Sequence, residues 1–391
     1  MRELINNLFS GEEEQDLYLG VIETVEGIQK KYPEDAWRQI AGGESGIAES
    51  IDKDISASGL LGLGVPEEYG GMGGGFFGSA LVTDLMAQRG IGSFNSMATP
   101  FCRRPLVDFG TQEQIEKYVV PTLTGAGRFC ICATEPDAGT NTFNITTRAL
   151  KKGDKWILNG QKTFISGADQ ADYGFLIAKT GIDTPRALSI FVLNMKSPGI
   201  EMQKQNINVF ANENQYTLFF NDVEMPLDAL IGDEGKGGMY MFQGLNAERF
   251  MVAAFSVGLS DLALQLTKEY VNQRILFGDR PTGAYQAVQH PLAQNKANTD
   301  AARLMLYYGM KLFDQGTDAG AYANSAKLLA TQAASKMCDD AIQFHGGSGM
   351  DEDMGLLYLW KLCRVARIAP LNNEMVLSYI AERVIGLPKS T

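Results

Sequence analysis

Glu248 is the residue whose setting most needs a chemical reason. It precedes Val252 by four residues, and Val252, Phe255, Leu259, Leu262, Leu266 and Tyr270 recur at three- and four-residue steps. A helix through them carries the carboxylate on its apolar stripe. Burial there raises a carboxyl from about 4.3 toward neutrality, where a base abstracts protons most efficiently. The same glutamate is also explained as a first-turn residue stabilised by the helix dipole or paired with Arg249, for about 0.3–1 kcal/mol. A second group of residues could also do chemistry. CICATEPDAGTNTF at 130–143 reads as a strand leaving through a turn, and NGQKTFISGADQADYGFLIAKT at 159–180 as a turn and two strands. Alternation along the first of those strands puts Phe164 and Ser166 on one face, so the two segments together could line a cleft with small hydroxyls and an aromatic ring.

These residues have to be held by elements that change character twice along the chain. Residues 12–122 read as helical, interrupted by the loop GVPEEYGGMGGG at 64–75. From about 128 to 232 the pattern turns to short β runs, among them KWILNG, ALSIFVLN and YTLFFNDVEM, separated by Gly, Asn and Pro. Helical periodicity returns after Gly238. Helices, an all-β segment, then helices again predicts an α+β fold rather than a doubly wound sheet. We expect an N-terminal α-helical domain over 1–125, a middle β-barrel-like domain over 126–236 and a C-terminal four-helix-bundle-like domain over 237–391.

Composition removes several function classes. A chain of 391 residues with 45% hydrophobic and 20% charged content buries a large core and is not disordered. A net charge of −12 disfavours nonspecific nucleic-acid binding, because neutralising phosphates needs a basic surface. Five cysteines form no CxxC pair and only two histidines occur, His290 and His345, so no metal site is expected and a reducing compartment is. No uninterrupted apolar run reaches the ~18 residues of a membrane span, and MRELINNLFSGEEEQD resembles neither a signal nor a transit peptide. No membrane association is expected, and a cytoplasmic location is.

TEPDAGT, NGQKTFIS, LNAERF, the YVNQRILFG run with the following Gln286, and QFHGGSGM resemble, in order, the signatures of the acyl-CoA dehydrogenase family. The resemblance covers nearly the whole chain. It implies FAD, with the flavin ring against the β domain and the site between that domain and the C-terminal bundle. Thr134 and Ser166 match positions that hydrogen-bond the ring, Phe164 matches the aromatic packed on it, and Cys132 falls among the cofactor-binding positions. Thr140, after Gly139, matches a residue reaching the pyrophosphate. Arg274, Phe277 and Gln286, with Gln343, Gly346 and Gly347, match positions that clasp the adenosine-diphosphate part of FAD in a neighbouring subunit, which implies a homo-oligomer, a dimer of dimers. Read without the family, Ser166 is a strand-end hydroxyl, Gly139 a turn glycine and Arg274 a helix-end cation.

The sequence departs from the family at one place. Many members carry their base in a YEGT-like run near the C-terminus, whose counterpart here is IAPLNNEM at 368–375, with Pro370 at the base position. Proline takes no proton and has no backbone N–H. A second branch, including isovaleryl-CoA and long-chain dehydrogenases, supplies its glutamate from a segment like LNAERF, and Glu248 matches it, with Asn246 and Arg249 as substrate-binding positions and Glu374 as the alternative base. The resemblance therefore implies α,β-dehydrogenation of an acyl-CoA to a trans-2-enoyl-CoA, with electrons passing to an electron-transfer flavoprotein. Oxidases, monooxygenases and desulfinases share the scaffold, as would a noncatalytic acyl-CoA- or FAD-binding protein. Arg103 and Arg104 in TPFCRRPL are expected on the surface.

Overall fold

The computed structural model describes residues 1–43, 45–91, 94–181, 184, 187–211 and 213–389, leaving aside the side chains of residues 45, 94–97, 242 and 243. The chain divides into two compact units: Met1–Ile51, Gly74–Gly92 and Asn246–Thr391 form one, Asp52–Gly73 and Ser93–Leu245 the other.

The second unit is built on a sheet of β1 (Phe129–Cys132), β2 (Arg148–Lys152), β3 (Lys155–Ser166), β4 (Tyr173–Lys179), β5 (Leu188–Asn194), β6 (Ile200–Lys204), β7 (Gln215–Pro226) and β8 (Leu230–Ile231). The strands run in the order β6-β7-β3-β2-β4-β5-β8, with β1 parallel to β4. β4 explains its own composition. Phe175 and Ile177 enter a core shared with Phe101, Leu106 and Tyr118, while Leu176 and Ala178 enter another with Trp156, Phe191 and Phe220. A strand covered on both faces reads as an unbroken apolar run. Each fully buried Phe, Leu or Ile among these contributes about 1.5–3 kcal/mol.

The first unit is helical. Its principal helices include Glu12–Gln29, Gly75–Ala87, Gln286–Asp314, Gly320–His345 and Leu356–Ala366, together with the part of Gly237–Gln273 from Asn246 onward. At Gly258 an added Cβ would lie 2.5 Å from the Asp84 carbonyl oxygen, so only glycine lets these two helices approach so closely. Asp84 ties the helices further. It accepts from Arg303 Nε at 2.8 Å and Nη2 at 2.9 Å and from the Tyr307 hydroxyl at 2.9 Å. Arg303 also reaches Asp261 at 2.7 Å. A forked guanidinium shared by two carboxylates satisfies the fully buried Asp84. The helix Gly237–Gln273 is long and apolar enough to cross a membrane, but 78% of its most apolar stretch is buried inside the protein.

Candidate active site

Glu248 lies well inside the helix Gly237–Gln273 rather than in its first turn, so the dipole account does not apply to it. It sits between the buried Ala247 and Arg249 and is itself partly buried. Burial pushes its pKa up to about 8, with the positive charges of Arg249 and Lys327 pulling the other way. Among the described residues no group donates a hydrogen bond to its carboxylate. Arg249 does not pair closely with it either: Nη1 donates to Asn246 Oδ1 at 2.8 Å, and its buried Nε has no partner among the described residues. Glu374 differs in setting. It is an exposed residue in the first turn of the helix Asn373–Tyr379.

Pro370 occupies a turn between helices, joined to Ala369 by a cis peptide bond. Lys327, from the middle of Gly320–His345, reaches this turn. Its Nζ donates to the Leu371 carbonyl and to Asn373 Oδ1, each at 2.7 Å, and to the Arg367 carbonyl at 3.5 Å.

In the sheet unit, the Thr163 amide donates to the Thr134 carbonyl at 2.9 Å, which brings the 130–140 segment alongside the end of β3. The β3–β7 ladder shifts register between Lys162 and Ile165. At that shift Phe164 has φ of 58°, a left-handed conformation rare for a bulky residue, and leaves 57% of its surface exposed. Ile165 turns into the core, and Ser166, partly buried, accepts from Gln215 Nε2 at 2.7 Å. Cys132 is fully buried, its Sγ 3.7 Å from that of Cys130, so its side chain serves the core. Gly139 and Thr140 are exposed, and a Cβ on Gly139 would meet no protein atom within 4 Å.

One buried pair underlies this edge. Glu135 accepts from the Thr146 amide at 2.6 Å, the Thr146 hydroxyl at 2.8 Å, the Thr147 amide at 3.0 Å and Lys162 Nζ at 2.9 Å. Lys162 also donates to the Ala133 carbonyl at 2.8 Å. Burial alone would raise the Glu135 carboxyl, but the Lys162 charge and these donors override it and hold the group at about 2. Burial lowers Lys162, with Glu135 opposing.

In the helical unit, Arg274, Phe277 and Gln286 are exposed on and after a tight loop. The Arg274 carbonyl accepts from both the amide and the hydroxyl of Thr282 at 2.7 Å, fixing that loop. Phe277 is 77% exposed. Tyr270 joins this loop to the Gln343–Gly347 turn: its ring stacks on His345 with centroids 4.2 Å apart, and its hydroxyl donates to the His345 carbonyl at 3.3 Å. Gly346 has φ of +61°, and neither it nor Gly347 has a protein atom within 4 Å of where a Cβ would stand.

The structure corrects one expectation. Arg103 is only 2% exposed and donates to the Leu63 carbonyl at 2.6 Å and to Thr122 Oγ1 at 3.3 Å. It is an internal strut, whereas Arg104 pairs with Asp108 at 2.7 Å. Sequence reasoning also missed Glu135, Lys162, Lys327 and His345. Alternation could have found Lys162, which shares its parity on β3 with Trp156 and Leu158. Helical spacing could have found Lys327, since Ala323, Ala330 and Ala334 at four- and three-residue steps are all fully buried.

Comparison with known proteins agrees with this architecture. Residues 20–126 match the acyl-CoA dehydrogenase N-terminal domain, 130–223 the middle domain and 235–385 the C-terminal domain. The acyl-CoA dehydrogenase fadE12 of Mycobacterium bovis is 38% identical over 340 residues, covering 85% of this chain and 87% of that protein. The caffeyl-CoA reductase-Etf complex subunit CarC of Acetobacterium woodii is 31% identical, covering 82% and 85%. The solved structure of PigA with FAD and proline superposes with a TM-score of 0.87 at 28% identity, covering 97% and 99%. The chain belongs to the acyl-CoA dehydrogenase family. It is therefore an oxidoreductase and a flavoprotein, and its cofactor is FAD. The residues present fit that group: Phe164 offers an exposed ring on a strained backbone, and Gly139, Gly346 and Gly347 leave space that a side chain would fill.

Proposed function

We propose that this enzyme dehydrogenates an acyl-CoA thioester between its α and β carbons, giving a trans-2-enoyl-CoA, with Glu248 removing the α proton. The observation that carries the reading is the partly buried Glu248 carboxyl inside the bundle, held at about 8 and free of hydrogen-bond donors among the described residues. A carboxylate so placed is basic enough to take a proton near neutral pH and loses little solvation in doing so. The chain then belongs to the family branch whose base comes from this helix. Asn246 and Arg249, joined by the bond from Arg249 Nη1 to Asn246 Oδ1, are read as the substrate-binding residues beside it.

FAD, when bound, supplies the hydride acceptor. Thr134, Phe164, Ser166, Gly139 and Thr140 would hold its ring and pyrophosphate, with Cys132 contributing through its backbone. Arg274, Phe277, Gln286, Gln343, Gly346 and Gly347 would hold the adenosine-diphosphate part of a second copy's FAD. That sharing makes the working form a homo-oligomer, a tetramer arranged as a dimer of dimers, and the exposed Ile275, Leu276 and Phe277 are consistent with a covering subunit. The reading includes domains spanning 1–125, 126–236 and 237–391, an electron-transfer flavoprotein as acceptor, in line with the name of the CarC relative, and a cytoplasmic location in fatty-acid metabolism.

The test is anaerobic titration of the FAD-loaded protein with short, branched and long acyl-CoAs, following bleaching of the flavin. A substrate that bleaches the wild type and binds Glu248→Gln without bleaching it supports the reading. Bleaching of Glu248→Gln at the wild-type rate places the base elsewhere. Pro370 and the PigA relative solved with proline favour one second reading, an oxidase, monooxygenase or other flavin enzyme on this scaffold. Oxygen consumption with peroxide release and no acyl-CoA bleaching would select it.

A further inference from the structure

The serine that ends β3 is held by a glutamine to which the proposed reaction gives no part. Gln215 opens β7 directly opposite Ser166 in the β3–β7 ladder and is only 6% exposed. Its backbone is fixed by its neighbours. The Gln205 amide donates to the Gln215 carbonyl at 2.8 Å, and the Gly167 amide donates to the carbonyl of the adjacent Asn214 at 2.9 Å. Gln205 also donates from Nε2 to Thr163 Oγ1 at 2.9 Å. Thr163 and Ser166, which flank the left-handed Phe164 along β3, are thus each tied to a glutamine side chain.

From this fixed backbone Gln215 Nε2 donates to Ser166 Oγ at 2.7 Å. A serine hydroxyl has one proton to give and two lone pairs to offer. The glutamine takes a lone pair and leaves the proton unused, and among the described residues no group accepts it. Two hydrogens facing each other across so short a contact repel, so the hydroxyl proton points away from Gln215. The opposite polarity, with the glutamine carbonyl accepting from the serine, would turn that proton inward and leave Ser166 with lone pairs alone.

We propose that Gln215 is a positioning residue of the flavin site: it fixes Ser166 as a donor, with the serine proton free for an acceptor atom of the flavin ring. The proposal rests on the reading that Ser166 meets that ring, and it names what makes the serine a donor there. Negative charge builds on the ring as it takes up electrons, so a donor oriented in advance stabilises the reduced ring more than the oxidised one. A hydroxyl free to turn does so less effectively, because ordering it offsets part of the gain.

The experiment is the two-electron reduction potential of the FAD-loaded protein, measured against a reference dye in wild type, Ser166→Ala, Gln215→Met and the double variant. Ser166→Ala removes one neutral hydrogen bond, weakens the hold on reduced relative to oxidised FAD about tenfold, and lowers the potential by about 30 mV. Gln215→Met moves it in the same direction by a smaller ratio, about threefold, and changes nothing further once Ser166 is alanine. Equal shifts by Gln215→Met with and without the serine overturn the proposal, because the glutamine then acts on the flavin by another route. A potential that rises in Gln215→Met also overturns it, since the glutamine carbonyl was then holding the proton. If the methionine variant does not fold, Gln215→Asn, which keeps an amide but stops one methylene short of Ser166, is read the same way. A potential lowered by Ser166→Ala but unmoved by Gln215→Met sinks the role of Gln215 alone. An unmoved potential in Ser166→Ala sinks the placing of Ser166 at the ring, and this proposal with it.

Discussion

Lys162 Nζ lies 2.9 Å from Glu135 Oε1, with the two side chains 0% and 3% exposed. Both belong to the segments that place Thr134, Phe164 and Ser166. Breaking one half leaves an uncompensated buried charge, so Glu135→Gln costs about 3–5 kcal/mol, whereas Glu135→Leu with Lys162→Met recovers most of the loss. Chemical denaturation of the three proteins checks this. The pair also sets an acid limit. The Glu135 carboxyl lies at about 2 in the fold against an ordinary 4.5, so its stabilisation is complete above pH 4.5 and is lost as pH falls toward 2. That window is worth about 3 kcal/mol and is missing from the denaturation profile of the double variant.

Glu248 has the opposite sign. Between its ordinary 4.5 and its folded value of about 8, the native protein holds a proton that the unfolded chain releases, so stability falls as pH rises through that range. Glu248→Gln escapes the loss. Calorimetry should find it more stable than wild type by roughly 2–4 kcal/mol at pH 9, with the gap narrowing toward pH 5. The same substitution should slow flavin reduction by about 10²–10⁴-fold, and in wild type the rate should climb with pH to a midpoint near 8. A variant no more stable at pH 9 than at pH 5 would mean the carboxyl is not sheltered.

Phe164 is held in a left-handed conformation with most of its ring exposed, so the apoprotein gains little from it. Phe164→Gly should leave the apoprotein Tm unchanged or raise its stability by about 1 kcal/mol. FAD affinity should fall about tenfold, the worth of one aromatic contact. Apoprotein calorimetry and flavin-fluorescence titration separate the two effects.

The Arg274 loop is fixed through backbone atoms by Thr282, so its side chain can be removed without unfolding it. Arg274→Ala should weaken FAD about 10–100-fold, as expected for one charge-assisted contact of ~1.5–3 kcal/mol. Thr282→Val, which removes the hydroxyl donor to Arg274, should loosen the loop and weaken FAD less. Equal retention of FAD by Arg274→Ala and wild type would release this residue from the cofactor site.

The fold was legible because its signals are periodic. β4 and β5 read as apolar runs and the helix after Gly237 as a stripe, and each period reports which face is buried. The partial burial of Glu248 was legible for the same reason. Less could be read of the buried cations. Arg103, Lys162 and Lys327 are cations whose burial depends on carbonyls distant in sequence, and composition places such residues outside. The φ of Phe164 was equally invisible, since it arises where β3 shifts register against β7, about fifty residues later.

Asp84 and Arg303 are 219 positions apart, and the helical unit closes only when both exist. During synthesis at about 5–20 residues per second, the first helices wait roughly 10–40 s for that partner. The sheet unit, whose last residue is Leu245, is complete well before then. The helices Glu12–Gln29 and Gly75–Ala87 therefore emerge from the ribosome covered only by each other, as where Tyr18 meets Phe77, and this enzyme's exposure to chaperones and proteases lasts until the helix Gln286–Asp314 that carries Arg303 has been translated.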